Sequence, residues 1–278
     1  MIILMGVTHP MQARSALFDL YGDHLRTHGG RAPIAALVRL LAPLEIGAPA
    51  VRTAVSRMVR QGWLHPLRLS SGPGYLITQK AANRLDEAAA RIYRLNPPVW
   101  DGTFDIIIAD RSLQRAGRQR IANNLAYLGY GTVDDTVWLA TKASPEADGV
   151  LSEAGVCFQR FTATHVGGSR GTNALVSQAW DLERIGREYK EFVTRMQPVV
   201  AGVDENGETE LAYTARFQLV HAWRTFLFRD PGLPNELLPN KWPGHDAAEF
   251  FDKHAVRLRP AADAFVDHCL TIVRGAQP

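Results

Sequence analysis

The sequence predicts an α+β fold divided into more than one domain. Apolar residues recur at helical spacing near both ends of the chain, while the middle holds short runs rich in β-branched and aromatic residues. A length of 278 residues, 46% of them hydrophobic, allows a sizeable core and exceeds the usual size of one domain. Cys157 and Cys269 lie far apart without a C-x-x-C spacing, so neither a disulfide framework nor a cysteine zinc site is expected.

Three amphipathic helices are predicted in the first 65 residues. The first, RSALFDLYGDHLRTHG at residues 14–29, ends at a glycine, and the second, PIAALVRLLAPLEIG, places Pro33 in its first turn and ends or bends at Pro43. The third, AVRTAVSRMVRQGWL at residues 50–64, has Gly62 as a left-handed stop. Its apolar stripe consists of Val51, Ala54, Val55, Met58 and Val59.

A β-hairpin follows the third helix. The segment WLHPLRLSSGPGYLIT predicts two strands around a turn-rich loop at residues 70–74, with Tyr75 and Ile77 alternating on the return strand. Three helices and then a hairpin form the element order of a winged helix-turn-helix. Residues 1–95 are therefore predicted to be such a domain, with the hairpin as its wing.

The net charge of +3 is unevenly distributed, with a basic N-terminal part and an acidic remainder. Residues 1–95 carry twelve Lys/Arg and five Asp/Glu, a balance of +7, whereas the remainder carries 19 basic and 23 acidic residues, a balance of −4. Binding to phosphates requires local positive charge. We therefore expect the first domain to face double-stranded DNA.

The polar face of the third helix holds arginines and hydroxyls but no carboxylate. In a winged helix-turn-helix the third helix enters the major groove, where an arginine fork can bond guanine O6 and N7 together. We expect base contacts from Arg52, Thr53 and Ser56, and phosphate contacts from Arg57, Arg60 and the wing residue Arg68. The alternative is a merely solvated basic face, because this chain uses arginine far more than lysine throughout.

A ferredoxin-like domain is predicted for residues 96–172. A proline-punctuated junction, NPPVW at residues 96–100, precedes the strand TFDIIIAD and an amphipathic helix at residues 112–128 that ends at Gly129. TVWLA and VCFQRFTATHV supply further strands around a loop of acidic and small residues at 134–149. This β-α-β order fits a ferredoxin-like unit.

The last domain, residues 173–278, is predicted to be helical. One apolar stripe runs through Ala212, Ala215, Leu219, Trp223, Phe226 and Leu227, and a rigid loop with prolines at 231, 234, 239 and 243 precedes a final helix. His245, Asp246, Glu249 and His254 match no zinc spacing, and no G-x-S-x-G follows a strand. Asp110 ends a strand as a nuclease carboxylate would, but a metal-dependent nuclease needs more carboxylates there. We therefore expect neither catalytic residues nor a metal.

Five stretches carry a resemblance to a known family: RSALFDLYGDHL, VRTAVSRMVRQGWL, GYLIT, RIYRLNPPVWDGTFDIII and FRDPGLPNELLPNKWPG. They resemble the PaaX-like family of bacterial regulators, repressors of phenylacetic acid degradation, from about residue 14 to about residue 270. The resemblance implies a winged helix, a ferredoxin-like domain and a helical C-terminal domain. It also implies a homodimer that leaves its operator when it binds phenylacetyl-CoA or a related aryl acyl-CoA.

The pocket for such an effector should pair cationic with aromatic side chains. Candidates are Arg170, His221, Trp223, Arg224, Lys241 and Trp242, with core packing as the alternative role of Trp223. Before the helix that starts near Ala174, the loop GGSRGTN at residues 167–173 has two interpretations. It is an interdomain loop with an asparagine N-cap, or a cradle for the phosphates of coenzyme A.

The sequence thus predicts a ligand-responsive repressor that needs no cofactor and is not an enzyme. The alternative is an acyl-CoA-handling or nucleic-acid-processing enzyme that carries a winged helix. The N-terminal apolar run has neither a basic flank nor a cleavage site, and no window approaches eighteen continuous apolar residues. A cytoplasmic protein without a membrane partner is expected.

Overall fold

The computed structural model describes residues 11–93, 99–110, 115–169, 171–204 and 207–275. It is an α+β protein whose contacts group the chain into two compact units. Unit 1 contains Met1–Leu95, Arg195–Trp223 and Phe250–Pro278, and unit 2 contains Asn96–Thr194 and Arg224–Glu249. The three domain ranges inferred from sequence stay a prediction, and most of the proline-punctuated junction lies outside the described residues.

The three helices expected near the start of the chain are present in unit 1. Helix α1 covers Ala13–Leu20 and continues as a π-helical turn at Tyr21–Leu25. After the short strand β1 (Arg31–Pro33) come helix α2 (Ile34–Leu41), a 3₁₀ turn at Ala42–Leu44, and helix α3 (Ala48–Arg60). Pro33, predicted in the first turn of α2, is instead its N-cap residue, with an extended ψ of 147°.

The apolar stripe of α3 faces the core of unit 1. Val51, Ala54, Val55 and Met58 are buried, and Val59 is half-buried at the edge of the stripe. Gly62 ends the helix with φ of +71°, as predicted. Its N–H donates to the Val59 carbonyl at 3.0 Å and the Trp63 N–H donates to the Met58 carbonyl at 2.9 Å, which together form a Schellman motif.

The hairpin is tighter than the sequence predicts. Strands β2 (Leu64–Leu69) and β3 (Gly72–Ile77) are joined by Ser70 and Ser71 alone, so residues 72–74 belong to a strand rather than to the loop. Strand β1 adds to the other side of β3, giving the antiparallel order β1-β3-β2. A Cβ at Gly74 would lie 3.0 Å from the Ala32 carbonyl oxygen, so glycine permits the close approach of these strands.

Helices from the C-terminal part of the chain complete the core of unit 1. They are α9 (Thr209–Arg224) and most of α10 (Pro243–Gly275), while helix α4 (Gln79–Ile92) follows the hairpin. Tyr213 of α9 is buried and donates its hydroxyl to the Leu40 carbonyl of α2 at 2.8 Å. Phe265 of α10 joins the same apolar cluster as Leu17 of α1 and Val55 of α3. The N-terminal helices therefore share one core with α9 and α10.

A row of charged pairs, here called the ion-pair ladder, joins α1 and the turns after it to α9 and α10. Its pairs are Asp19 with His221 at 2.6 Å, Asp23 with Arg216 at 2.7 Å, His24 with Asp263 at 3.1 Å, and His28 with Asp267 at 2.7 Å. The paired residues are 193 to 239 positions apart in sequence. The ladder therefore joins the N-terminal helix and the turns after it to helices α9 and α10 of the C-terminal part of the chain.

The central pair of the ladder is buried. The Arg216 side chain is 0% exposed and the Asp23 side chain 6% exposed, and Asp23 Oδ1 also accepts hydrogen bonds from the Tyr93 hydroxyl at 2.7 Å and Arg259 Nη2 at 3.3 Å. Burial alone would raise the pKa of the Asp23 carboxyl. The charges of Arg216 and His24 and the hydrogen bonds from Tyr93 and Arg216 nevertheless hold this pKa below its ordinary value. Asp23 is therefore a buried carboxylate that depends on its cationic partners.

Unit 2 is built around an antiparallel sheet. Its elements are β4 (Thr103–Ala109), α5 (Arg115–Tyr127), β5 (Gly131–Asp134), β6 (Val137–Ala140), α6 (Ala147–Glu153) and β7 (Phe158–Thr164), with strand order β5-β6-β4-β7. The predicted stop at Gly129 is present, with φ of +92°. The predicted strand TVWLA is present as β6, with Trp138 and Leu139 buried, and the segment 134–149, predicted as a loop, also contains the start of α6.

The proline-rich loop is part of unit 2. Unit 2 also contains helix α7 (Thr172–Ala179) and most of helix α8 (Leu182–Ala201). Tyr189 of α8 stacks on Phe226 with ring centroids 4.0 Å apart and donates its hydroxyl to Asp230. Asp230 in turn accepts a hydrogen bond from the Gly232 N–H at 2.7 Å. Within the described part of the chain, each helix is too short or too polar to cross a membrane.

Removing the cation of the central ladder pair should destabilise unit 1. We expect Arg216→Met to lower the free energy of unfolding by about 3 kcal/mol, because it leaves Asp23 buried with weaker compensation. Urea denaturation of the full chain measures this. Arg184→Ala, which breaks an exposed pair with Glu188, is the control and should cost less than about 1 kcal/mol. The double variant with Asp23→Asn should recover part of the loss, and an unchanged Arg216→Met midpoint would contradict the assignment.

Candidate nucleic-acid interface

The polar face of α3 is open to solvent. Packing of Val51, Val55 and Met58 into the core of unit 1 turns the opposite side of the helix outward. The five residues predicted to contact DNA from this helix, Arg52, Thr53, Ser56, Arg57 and Arg60, are all exposed. The face is therefore accessible along the whole helix, as any surface that enters a groove must be.

The arginines of this surface are not engaged by the protein. Among the residues that the structure describes, none forms a side-chain hydrogen bond or ion pair with Arg52, Arg57, Arg60 or Arg68. Other arginines are paired, for example Arg160 with Asp105 at 2.8 Å and Arg216 with Asp23 at 2.7 Å. The guanidinium groups on α3 are thus available to bind phosphates or bases without first breaking a protein contact.

Arg68 is placed on the hairpin rather than on the helix. It lies in β2, is exposed, and is paired in register with Pro73 of β3, close to the two-residue turn. A hairpin held on its far side by β1 is a firm support for such a side chain. The structure therefore provides a second element from which a cation can reach a polyanion.

Two further cations lie in the same unit and were missed by sequence reasoning. Phe18 and Trp63 pack edge to face with centroids 5.2 Å apart, Arg14 lies 5.8 Å above the Phe18 ring, and Lys80 lies 4.6 Å above the Trp63 ring. Such contacts hold a cation over an aromatic face. Arg14 and Phe18 are an i, i+4 pair on α1, whereas Trp63 lies far along the chain from Phe18 and Lys80, so only the fold brings Trp63 to them.

The candidate effector residues of unit 1 have structural partners. His221 is half-buried and pairs with Asp19 in the ladder. Trp223 is 6% exposed, donates its Nε1 hydrogen to the Ile92 carbonyl at 3.1 Å and stacks on Phe251 with centroids 4.8 Å apart. The core role considered for Trp223 is thus the one that the structure shows.

The remaining candidate effector residues lie in unit 2 or outside the residues that the structure describes. Trp242 is 6% exposed and packs edge to face on Tyr189 with centroids 6.0 Å apart. Lys241 is exposed and has φ of +58°, and Arg224 is half-buried. Arg170 lies outside the described residues. A pocket shared by all six stays a prediction.

The loop at residues 167–173 leads into α7, but not with the predicted cap. The helix begins at Thr172 with Gly171 as its N-cap residue, so Asn173 is inside the first turn and does not cap it. Thr172 Oγ1 lies 3.0 Å from His165 Nδ1. Whether this loop binds phosphate stays a prediction. Within the described residues, the His, Cys, Asp and Glu side chains form no group of three or more that could hold a metal ion.

Comparison with known proteins identifies relatives of the whole chain. Residues 12–81 match the family described as PaaX-like protein, and residues 180–268 match the PaaX-like protein C-terminal domain. The transcriptional repressor PaaX of Escherichia coli (strain K12) is 31% identical over 268 residues, which cover 92% of this chain and 84% of that protein.

A solved structure shares the fold. The uncharacterized protein Rv0674 from Mycobacterium tuberculosis superposes with a TM-score of 0.60 at 22% identity, covering 91% of this chain and 98% of the other. At this identity the likeness concerns the fold alone. On the two family matches and the identity to the E. coli protein, the chain belongs to the PaaX-like family.

Proposed function

We propose that this protein is a transcriptional repressor that binds operator DNA through α3 and the β2–β3 hairpin. The observation that carries the proposal is the exposed, carboxylate-free face of α3, whose arginines have no protein partner among the described residues. A relative at 31% identity bears the name of a transcriptional repressor. A cationic face without acids suits the phosphate backbone, which would repel carboxylates.

The arrangement of elements supports this proposal. Helices α1, α2 and α3 followed by the β2–β3 hairpin, with β1 as a third strand, have the order of a winged helix-turn-helix. In unit 2 the order β-α-β-β-α-β, with the first strand β4 between β6 and β7, corresponds to a ferredoxin-like domain. The proposal needs no catalytic group, and it places the protein with the DNA in the cytoplasm.

Within the winged helix, α3 would lie in the major groove. Arg52 and Thr53 belong to its N-terminal half, which in this class of domain is nearest to the base edges, and Ser56 lies just past the middle of the helix. Arg57 and Arg60 lie closer to its C-terminal end, and Arg68 lies on the wing, so these three would bind phosphates.

Alanine substitutions at the two ends of α3 should have different effects. Arg52→Ala should cost roughly 1–3 kcal/mol at one base pair and relax specificity there, because it removes a base contact. Arg60→Ala should weaken binding to all sequences alike and reduce the salt dependence of the affinity, because it removes a phosphate contact. Gel-shift titrations against operator and mutated operators measure both effects. Arg184→Ala in unit 2 is the matched arginine control. If both α3 variants bind operator DNA with wild-type affinity, α3 is not the DNA-binding helix.

We also propose that the repressor binds as a two-fold dimer on an inverted repeat. One small DNA-binding domain buries limited surface, and two symmetric copies multiply the specificity. Light scattering at micromolar concentration should give twice the mass of the 30.7 kDa chain, and half-sites should lie about one turn of DNA or more apart. A monomer in solution with one protomer per operator would contradict the dimer.

The ligand that releases the repressor is proposed to be phenylacetyl-CoA or a related aryl acyl-CoA. Support comes from family membership and from cationic side chains in the candidate set, among which Lys241 is exposed and Arg224 half-buried. A ligand can lower operator affinity only by as much as it binds more tightly to the conformation that does not bind the operator. A hundredfold loss of operator affinity corresponds to about 2.7 kcal/mol of such preference.

The effector should act as a thioester and not as a free acid. We expect phenylacetyl-CoA to lower operator affinity in a titration, whereas phenylacetate leaves it unchanged. Arg224→Ala and Lys241→Ala should blunt this response while operator binding without ligand stays intact, because neither residue belongs to the DNA-binding surface. Arg184→Ala serves again as the control on the same unit. If every aryl acyl-CoA leaves operator binding unchanged, the effector assignment is wrong and the DNA assignment still stands.

A further inference from the structure

A groove in unit 1 has features of a ligand site that the proposed function has not used. It has a volume of about 400 Å³ and lies between the turns after α1, helix α4 and helix α10. Its lining includes Asp23, Arg26, Thr27, Ala89, Tyr93 and Arg259. Sites for small molecules usually occupy 300–1,000 Å³, so the groove can take a small ligand or one part of a larger one.

Two arginines of the groove are themselves partly exposed. Arg26 is paired with Asp86, and the two side chains are 35% and 55% exposed. Arg259 is 39% exposed and lies 3.3 Å from Asp23 and 4.0 Å from Asp263. Exposed ion pairs contribute little to stability, so Arg26 can exchange Asp86 for an anion. Arg259 bonds the buried Asp23 through Nη2 and has further N–H donors with which it can bind an anion. The planar fork of arginine suits the two oxygens of a carboxylate or phosphate.

The buried carboxylate of Asp23 offers an unused acceptor in the same groove. Its Oδ1 accepts hydrogen bonds from Tyr93, Arg216 and Arg259, whereas its Oδ2 is buried without a hydrogen bond, 3.4 Å from His24 Nε2. A buried polar atom without a partner is uncommon in folded proteins and calls for an explanation. Because Oδ2 is closed to solvent beside His24, a ligand N–H or O–H group in the groove adds a donor to this carboxylate only when the lining shifts.

We propose that this groove binds an organic anion whose carboxylate or phosphate oxygens lie between Arg26 and Arg259, and whose amide or hydroxyl group donates to Asp23. Both a coenzyme A thioester, through its phosphates and amides, and a free hydroxylated or amidated acid carry this chemistry. As a second effector site, separate from the candidate residues Arg224 and Lys241 of unit 2, the inference rests on the proposed function. As a binding site, it rests on the groove alone.

The position of the groove gives ligand binding a route to the DNA-binding surface. Arg259 and Asp23 connect α10 with the turn after α1, and α1 packs against α3. An anion that binds Arg259 competes with Asp23 for this guanidinium and weakens one connection between α10 and the helix that supports α3. Binding in the groove thereby changes how firmly α3 is held.

The test is direct ligand binding by the full-length protein, measured by calorimetry without DNA. The probes are phenylacetyl-CoA, coenzyme A, mandelate as a hydroxylated acid, and inorganic phosphate. Ala89→Trp fills the groove and Arg26→Gln removes one cation, and each should weaken binding at least tenfold. Asn83→Trp, on an exposed position of α4, is the matched control and should stay within twofold of wild type. Circular dichroism confirms folding, and if Ala89→Trp does not fold, Arg26→Gln decides.

The outcomes of these binding measurements distinguish a phosphate ligand from a free acid and test the groove itself. Binding of coenzyme A and its thioester that both groove variants weaken supports a phosphate ligand, and binding of mandelate with the same pattern supports a free acid. Failure of the wild type to bind any of the four probes overturns the site, as does binding that Ala89→Trp and Arg26→Gln leave at wild-type strength. Operator titration without ligand is measured in parallel. If the repressor proposal is wrong, the wild-type protein fails to bind operator DNA in this titration. The calorimetry of ligand binding does not depend on that result.

Discussion

The buried pair of Asp23 and Arg216 joins the two ends of the chain inside one unit. A fully buried arginine and a carboxylate that is 6% exposed are tolerable only together, since either charge alone would be buried without compensation. The pair links the turn after α1 with α9, and the neighbouring contacts of Arg259, His24 and His28 link the same segment with α10. The arrangement of unit 1 therefore depends on residues that are 193 positions apart in sequence.

This constraint bears on the DNA-binding surface. The apolar stripe of α3 shares its cluster with Tyr213, Phe217 and Phe265, so α9 and α10 help to support the helix whose opposite face is exposed. In the proposed repressor, a ligand need not touch α3 to alter operator binding. A change in the contacts that α9 and α10 make with α1 would be enough, because α1 lies against α3. The groove above Asp23 is one place where such a change can begin.

The polar face of α3 was the part of the candidate site that could be predicted most directly from the sequence. Helical spacing separates the buried Val51, Val55 and Met58 from the exposed Arg52 and Arg57, and this separation requires only the period of the helix. The cation over Trp63 could not be predicted in this way. Lys80 belongs to α4 and Trp63 precedes β2, and the groove likewise combines residues of α4 and α10 with the turn after α1.

By itself the sequence determined the features that depend on neighbouring residues. The helical stripes follow from spacing within a few turns, and the stops at Gly62 and Gly129 follow from the ease with which glycine adopts positive φ. Tertiary structure decided what depends on distant partners. Strand β1 is only three residues long and exists because β3 lies beside it, and Trp223 is buried because Phe251 and the Ile92 carbonyl meet it. Local periodicity records which face of an element is apolar, but not which other element covers that face, because the covering residues come from elsewhere in the chain.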